Sequence, residues 1–149
     1  MLESFKQKVG QMSKGLKEEV ARLRNRDFLE ACVAGCALVA NADGVVDPEE
    51  KRKMLGFMQT SDVLSLYDTN DVIALFNKYN GNFEFDFGIG QAQALKAIAP
   101  LSKKPADARL LVRVCCVIGG ADGNFDEHER AAVRRICQEL ALDPEEFGV

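Results

Sequence analysis

The sequence predicts an all-α fold, and three observations carry that expectation. Only 4 of 149 residues are proline, while Ala, Leu, Lys, Glu and Gln are abundant; these straight-chain and small residues lose little freedom in a helix. Apolar residues recur every three or four positions over most of the chain, the period of one helical face. The one stretch with strand-like alternation, Phe83, Phe85 and Phe87, has no second strand to pair with, and an isolated strand is not stable.

Taken in order, the first 26 residues read as an amphipathic helix. Leu2, Phe5, Val9, Met12, Leu16, Val20 and Leu23 form one stripe, although Gly10 and Gly15 weaken it. Lys6, Lys8, Lys14, Lys17, Arg22 and Arg24 fill the other faces. Such a helix suits an anionic membrane surface or a partner, and equally suits its own domain. Seven Lys/Arg against three Glu give this leader +4, so the remaining residues, 27–149, carry −8 of the total −4.

"DFLEACVAGCALVA", residues 27–40, is apolar nearly all round, which predicts a central buried helix. After "NADGVVD", Pro48 opens a helix to about Met58, proline being favoured at a first helical position. Short helices are expected from Asp62 to Leu66 and from Asp71 to Lys78, the latter capped by Asn70. Residues 80–90 are expected to form an irregular connection or a helix start. A helix from Ile89 to Ile98 should end at Pro100, and Pro105 should open the next. Residues 127–140 complete the helices, with one short turn in "DPEEFGV".

Two segments repeat at an offset of 79. "ADGVVDPEE" (42–50) and "ADGNFDEHE" (121–129) share A-D-G-x-x-D-x-x-E, so Asp43, Asp47 and Glu50 are answered by Asp122, Asp126 and Glu129. Flanking positions match too: Val33 with Val112, Cys36 with Cys115, Leu38 with Val117, Val39 with Ile118, Met54 with Val133 and Phe57 with Ile136. The expectation is a single-domain bundle of about seven helices: a basic leader (1–26), then a domain (27–149) built on two pseudo-twofold-related helix–acidic loop–helix units, about 27–59 and 106–140.

The acids admit two readings. Asp47 and Asp126 can cap the following helices, with Glu50 and Glu129 reaching back as in a capping box, while Gly44 and Gly123 supply a left-handed turn. Capping alone suffices at "DPEE" (143–146), which has no D-G before it. Capping does not require Asp43 and Asp122, however, and three carboxylates in a short loop repel one another. Aligned with the calcium loop pattern, the aspartate before glycine, the glycine, the second aspartate and the glutamate fall at the fifth, sixth, ninth and twelfth positions. The first position fails (Val39, Ile118), and the third is Asn41 in one loop and Gly120 in the other. These half-matches favour a weak Ca²⁺ or Mg²⁺ site, since oxygen ligands select hard cations.

Other classes are disfavoured. Five cysteines with no C-x-x-C and a single histidine, His128, argue against zinc and for reduced core thiols in a cytosolic protein; adjacency alone is thin ground for a redox role of Cys115 and Cys116. No nucleophile–base pair or glycine-rich phosphate loop suggests an enzyme, and the acidic body argues against nucleic acid. No run approaches the roughly 18 apolar residues that span a bilayer, and "MLESFKQKVGQ" has no signal-peptide core.

The paired motifs, the buried helix before each, the chain length and the basic leader resemble the tellurite-resistance TerB family. The resemblance implies a cytoplasmic, all-helical, non-catalytic protein of bacterial tellurium-resistance and stress-response systems. It further implies a metal site at Asp43, Asp47, Glu50, Asp122, Asp126 and Glu129, and association with the integral membrane protein TerC and with calcium-associated TerD-type proteins. The basic leader would suit work at the inner membrane face. Tellurite is itself an anion, so six carboxylates are not expected to bind it. The alternative is a metal-independent interaction module whose acids only cap helices.

Overall fold

The computed structural model describes residues 25–45, 47–121 and 123–149. The expected leader helix, with its Lys6, Lys8, Lys14, Lys17, Arg22 and Arg24, therefore lies outside the described residues, as does Asp122. Among the described residues the chain is all-helical, with six α-helices: α1 (Arg26–Ala40), α2 (Pro48–Thr60), α3 (Thr69–Phe85), α4 (Phe87–Ile98), α5 (Pro105–Gly119) and α6 (Glu127–Glu139). Short 3₁₀ turns occupy Leu64–Leu66, Ala99–Lys103 and Pro144–Phe147.

α1 is the central element. Phe28 and Leu29, then every residue from Ala31 to Val39, are buried, because α3, α4, α5 and α6 all pack on this helix. Each large apolar side chain so enclosed contributes on the order of 1.5–3 kcal/mol. Residues 27–40 thus take the place their all-round apolarity predicted.

Three boundaries differ from expectation. The helix expected at 71–78 runs from Thr69 to Phe85, and its cap is Asp68, whose Oδ1 accepts the amides of Asn70 and Asp71 at 2.9 and 3.3 Å. Asn70 lies inside the first turn instead. Residues 80–90 are helical on both sides of one break at Asp86, which is extended (φ −163°, ψ 130°) and caps α4 by accepting the Ile89 amide at 3.0 Å. Alternation of Phe83, Phe85 and Phe87 was thus not a sheet face. Phe83 enters the core, whereas Phe85 projects with 81% exposure. The α-helix α4 does end at Ile98 as expected, and Pro100 lies in the 3₁₀ turn Ala99–Lys103 that follows it. The segment 62–66 is reduced to the single turn Leu64–Leu66, with Ser61 Oγ accepting the Val63 and Leu64 amides.

Both helix–loop–helix segments are present as α1–α2 and α5–α6, and α1 lies against α5. Their matched cysteines, Cys36 and Cys115, are both buried and neighbour each other in the core. A Cβ on Gly35 would stand 2.8 Å from Cys115 Sγ, so glycine there permits the close approach. The match is not uniform: Leu38 is buried whereas its counterpart Val117 is 70% exposed. α1 is covered on every side, and α5 keeps one face to solvent.

Candidate metal site

The two acidic loops have the same backbone bonds, displaced by 79 residues. Asn41 N–H donates to Ala37 O and Gly120 N–H to Cys116 O, both at 3.0 Å. Ala42 N–H to Val39 O and Ala121 N–H to Ile118 O follow at 3.2 Å, then Gly44 N–H to Asn41 O and Gly123 N–H to Gly120 O at 3.0 Å. Gly44 and Gly123 take φ of 75° and 79°, the left-handed conformation that glycine reaches without a Cβ clash. The repeated glycine is therefore fixed by the turn itself.

The acids then diverge. Asp126 accepts the Glu129 amide at 2.8 Å, and its own amide donates to Glu129 Oε1 at 3.2 Å, the complete capping box expected. Asp47 instead accepts the amide of Glu49 at 3.0 Å, not that of Glu50. The difference follows from the cap backbone, φ −113° and ψ 109° at Asp47 against −80° and 177° at Asp126, which aims the two carboxylates differently. Asp43 Oδ1 accepts the Val45 amide at 2.9 Å, an Asx-turn.

A cleft of about 120 Å³ lies between the loops, bordered by Asp43 and Glu50 on one side and by Asp126, His128 and Glu129 on the other. Lys53 shares the rim, and Val39, Ile118 and Gly119 form part of the apolar floor. A Cβ on Gly119 would sit 2.9 Å from Phe125 and 3.1 Å from Val39, so this glycine lets the second loop settle beside the first. Arg130 lies over the Phe125 ring at 5.3 Å and donates to Phe125 O at 3.3 Å, fixing that loop from outside. Four of the predicted acids thus share one cleft. Asp47 does not line it.

Among the described residues, no three His, Cys, Asp or Glu side chains converge closely enough to hold a metal ion. The donor chemistry nevertheless suits a hard cation. At Asp43 and Asp126 the backbone bond is taken by Oδ1, and a carboxylate has about four acceptor sites over two oxygens. Capping and coordination are therefore compatible at the same residue. Asn41, the third position of the calcium-loop alignment, serves structure instead. Buried at 2% exposure, its Nδ2 donates to Ala37 O at 2.8 Å and Asn80 Oδ1 at 2.9 Å. Its Oδ1 has no hydrogen-bond partner among the described residues. Sequence reasoning missed this amide pair, because its partner is 39 residues away. Lys53 on the cleft rim was likewise missed, since one surface lysine has no sequence signature.

The cysteines form no site of this kind. Cys32, Cys36, Cys115 and Cys137 are buried free thiols and Cys116 is half-buried. Desolvation is the first cause raising Cys116 and Cys137 to about 11, and it places Cys32 well above an ordinary thiol. The cation acting on Cys116 is Arg130 rather than the sequence neighbour Arg113. Thiols so raised are almost wholly protonated near neutrality and hence poor nucleophiles.

Fold and site together define an all-helical protein with two acidic helix-entry loops facing one cleft. The chain belongs to the TerB family: the family model "Tellurite resistance protein TerB" matches residues 29–149. A curated "Tellurium resistance protein TerB" from Alcaligenes sp is 41% identical over 115 residues, covering 74% of this chain and 94% of that protein. No solved structure matches. Family membership supports a role in tellurite resistance, and TerB is not a known enzyme family. Among the described residues no helix is long and apolar enough to cross a membrane.

Proposed function

We propose that the protein acts in tellurite resistance without catalysis, as an adaptor that takes up Ca²⁺ or Mg²⁺ between its acidic loops and docks on a membrane-associated complex. The observation that supports this reading is the single cleft bordered by Asp43 and Glu50 from one repeat and Asp126 and Glu129 from the other. Carboxylates gathered this way repel one another, and a divalent ion between them relieves that repulsion. Asp122, matched to Asp43 by the repeat, would add a further oxygen ligand, whereas Asp47 serves as the cap of α2 outside the cleft. The common backbone bonds of the loops and the contact of the matched Cys36 and Cys115 favour two pseudo-twofold-related units, so that one ion spans both.

The ion's role is to couple the loops, and through them α2 and α6, to a partner. That partner is a cytoplasmic-side protein complex including TerC and TerD-type proteins, with the basic leader (Lys6, Lys8, Lys14, Lys17, Arg22, Arg24) at the anionic inner membrane face. Thermal unfolding tests the metal step. Ligand at ten times its Kd stabilises a folded protein by about 1.4 kcal/mol, roughly 3–6 °C for a domain of this size. The Asp43→Asn/Asp122→Asn variant should lose that gain, because Asn retains an Asx-turn but not the charge.

A second reading has its own support: the Asp126–Glu129 capping box and the Asp47 cap favour a metal-independent interaction module. On that reading the double variant keeps its partner, and millimolar Ca²⁺ or Mg²⁺ moves no melting temperature.

A further inference from the structure

The two helices matched by the repeat are not equally covered. On α1 every residue from Ala31 to Val39 is buried. On α5, Leu110, Val114 and Val117 recur at i, i+4 and i+7, one apolar stripe of a helix. Val114 is buried, yet Val117 is 70% exposed, against 2% for its counterpart Leu38. The stripe borders a groove of about 310 Å³ between α5 and the end of α2, whose other wall includes Phe57 and Val63. An apolar stripe beside an open groove is the kind of surface that another protein covers.

Two charges line the same groove, Arg113 on α5 and Asp62 in the turn after α2. Both are exposed. Among the described residues neither takes part in an ion pair, with the other or with any third group. The groove thus offers one cation, one anion and an apolar centre. An anionic lipid surface calls for cations alone. A two-fold interface sets one patch against itself, so the patch must be self-complementary, and this one is.

We propose that the groove is a homodimer interface, across which a second copy of the chain lays its own α5 stripe. Val117 of each copy enters the groove of the other, and Arg113 of each pairs with Asp62 of the other. Phe57 and Ile118 line both this groove and the acidic cleft, so the interface abuts the cleft. The pairing itself needs no metal and stands whether or not the acidic loops bind an ion.

Sedimentation velocity of the full chain in chelator, over a concentration series, tests this, with circular dichroism checking the fold of each variant. The wild type should dimerise with a Kd on the order of 10–100 µM, as suits an interface at the small end of the usual range. Val117→Glu, Arg113→Asp and Asp62→Arg should each weaken the dimer at least about tenfold, the last two by setting like charges together. An equal mixture of Arg113→Asp and Asp62→Arg chains should recover the dimer, because both cross pairs are then opposite in sign. A wild type still monomeric at about 500 µM overturns the proposal and leaves the groove to a different protein. So does a dimer unmoved by Val117→Glu, which must use another face, or a mixture that stays monomeric. Should Val117→Glu fail to fold, the charge-swapped mixture decides alone.

Discussion

Gly90 in the first turns of α4 faces the backbone of α3 at a distance that admits no side chain. A Cβ there would lie 2.4 and 2.5 Å from Phe83 ring carbons and 2.7 Å from the Phe83 Cα. Ordinary carbon contacts are about 3.5–4.0 Å, so Gly90→Ala forces the two helices apart by about 1 Å. The Phe83 ring cannot simply rotate away, because it is buried and its own backbone is among the clashing atoms. Overpacking of this kind costs about 1–3 kcal/mol or more, while alanine's helix propensity returns about 0.8–1 kcal/mol. The net is a loss of up to about 2 kcal/mol, roughly 4–8 °C for a domain of this size. Gly81→Ala is the matched control, since a Cβ at that helical position meets nothing within 4 Å and should gain most of the propensity term. Thermal and urea unfolding of the two variants side by side measure the difference. Equal stability of Gly90→Ala and Gly81→Ala would refute the close approach of α3 and α4.

Further expectations follow from the site and its surroundings. Asp126→Ala, measured by urea unfolding in chelator, should cost about 1 kcal/mol through loss of the cap, whereas Asp126→Asn, which still caps, should cost little. Gly119→Ala should displace Phe125 and the second loop, visible as amide shifts at 124–129, with a smaller stability loss than Gly90→Ala because a half-buried ring can yield. Glu30 accepts from Tyr79 Oη at 2.7 Å and from Lys78 Nζ at 3.1 Å, and the tyrosine bond is the first cause holding its carboxyl below the ordinary 4.5. A depressed carboxylate stabilises above its unfolded value and loses that stability as pH falls through the folded value. The wild type should therefore lose more stability than Glu30→Gln between about pH 5 and pH 3. Iodoacetamide should label Cys116 and Cys137 slowly at neutral pH, with rates rising about tenfold per pH unit towards 11; fast neutral labelling would contradict their burial.

The helix starts were the most legible part of the fold. Pro48, Pro105 and Pro144 each open a helix or turn, and Asp47, Asp126 and Asp143 cap as their sequence contexts suggest, because caps and first-turn prolines are local physics. Residues 27–40 were legible as a core helix because no polar face interrupts them. The segment around Asp86 was not. Three alternating phenylalanines imitate a strand, and only tertiary packing shows Phe83 turned inward and Phe85 outward. At the site, the repeat matched two loops with the same backbone bonds, yet it could not show that Asp47 would reach Glu49 rather than Glu50 and stay out of the cleft. Nor could it show Lys53 at the rim, a consequence of how α2 rotates as it packs.

The proposed joint use of both loops by one ion is tested most directly by following backbone amides during Ca²⁺ and then Mg²⁺ titration. Saturable shifts at 43–50 and at 126–129 that follow one binding curve, and vanish together in Asp43→Asn/Asp126→Asn, are the predicted result. Silence at millimolar metal, or a response confined to one loop, would contradict it and leave the carboxylates as caps.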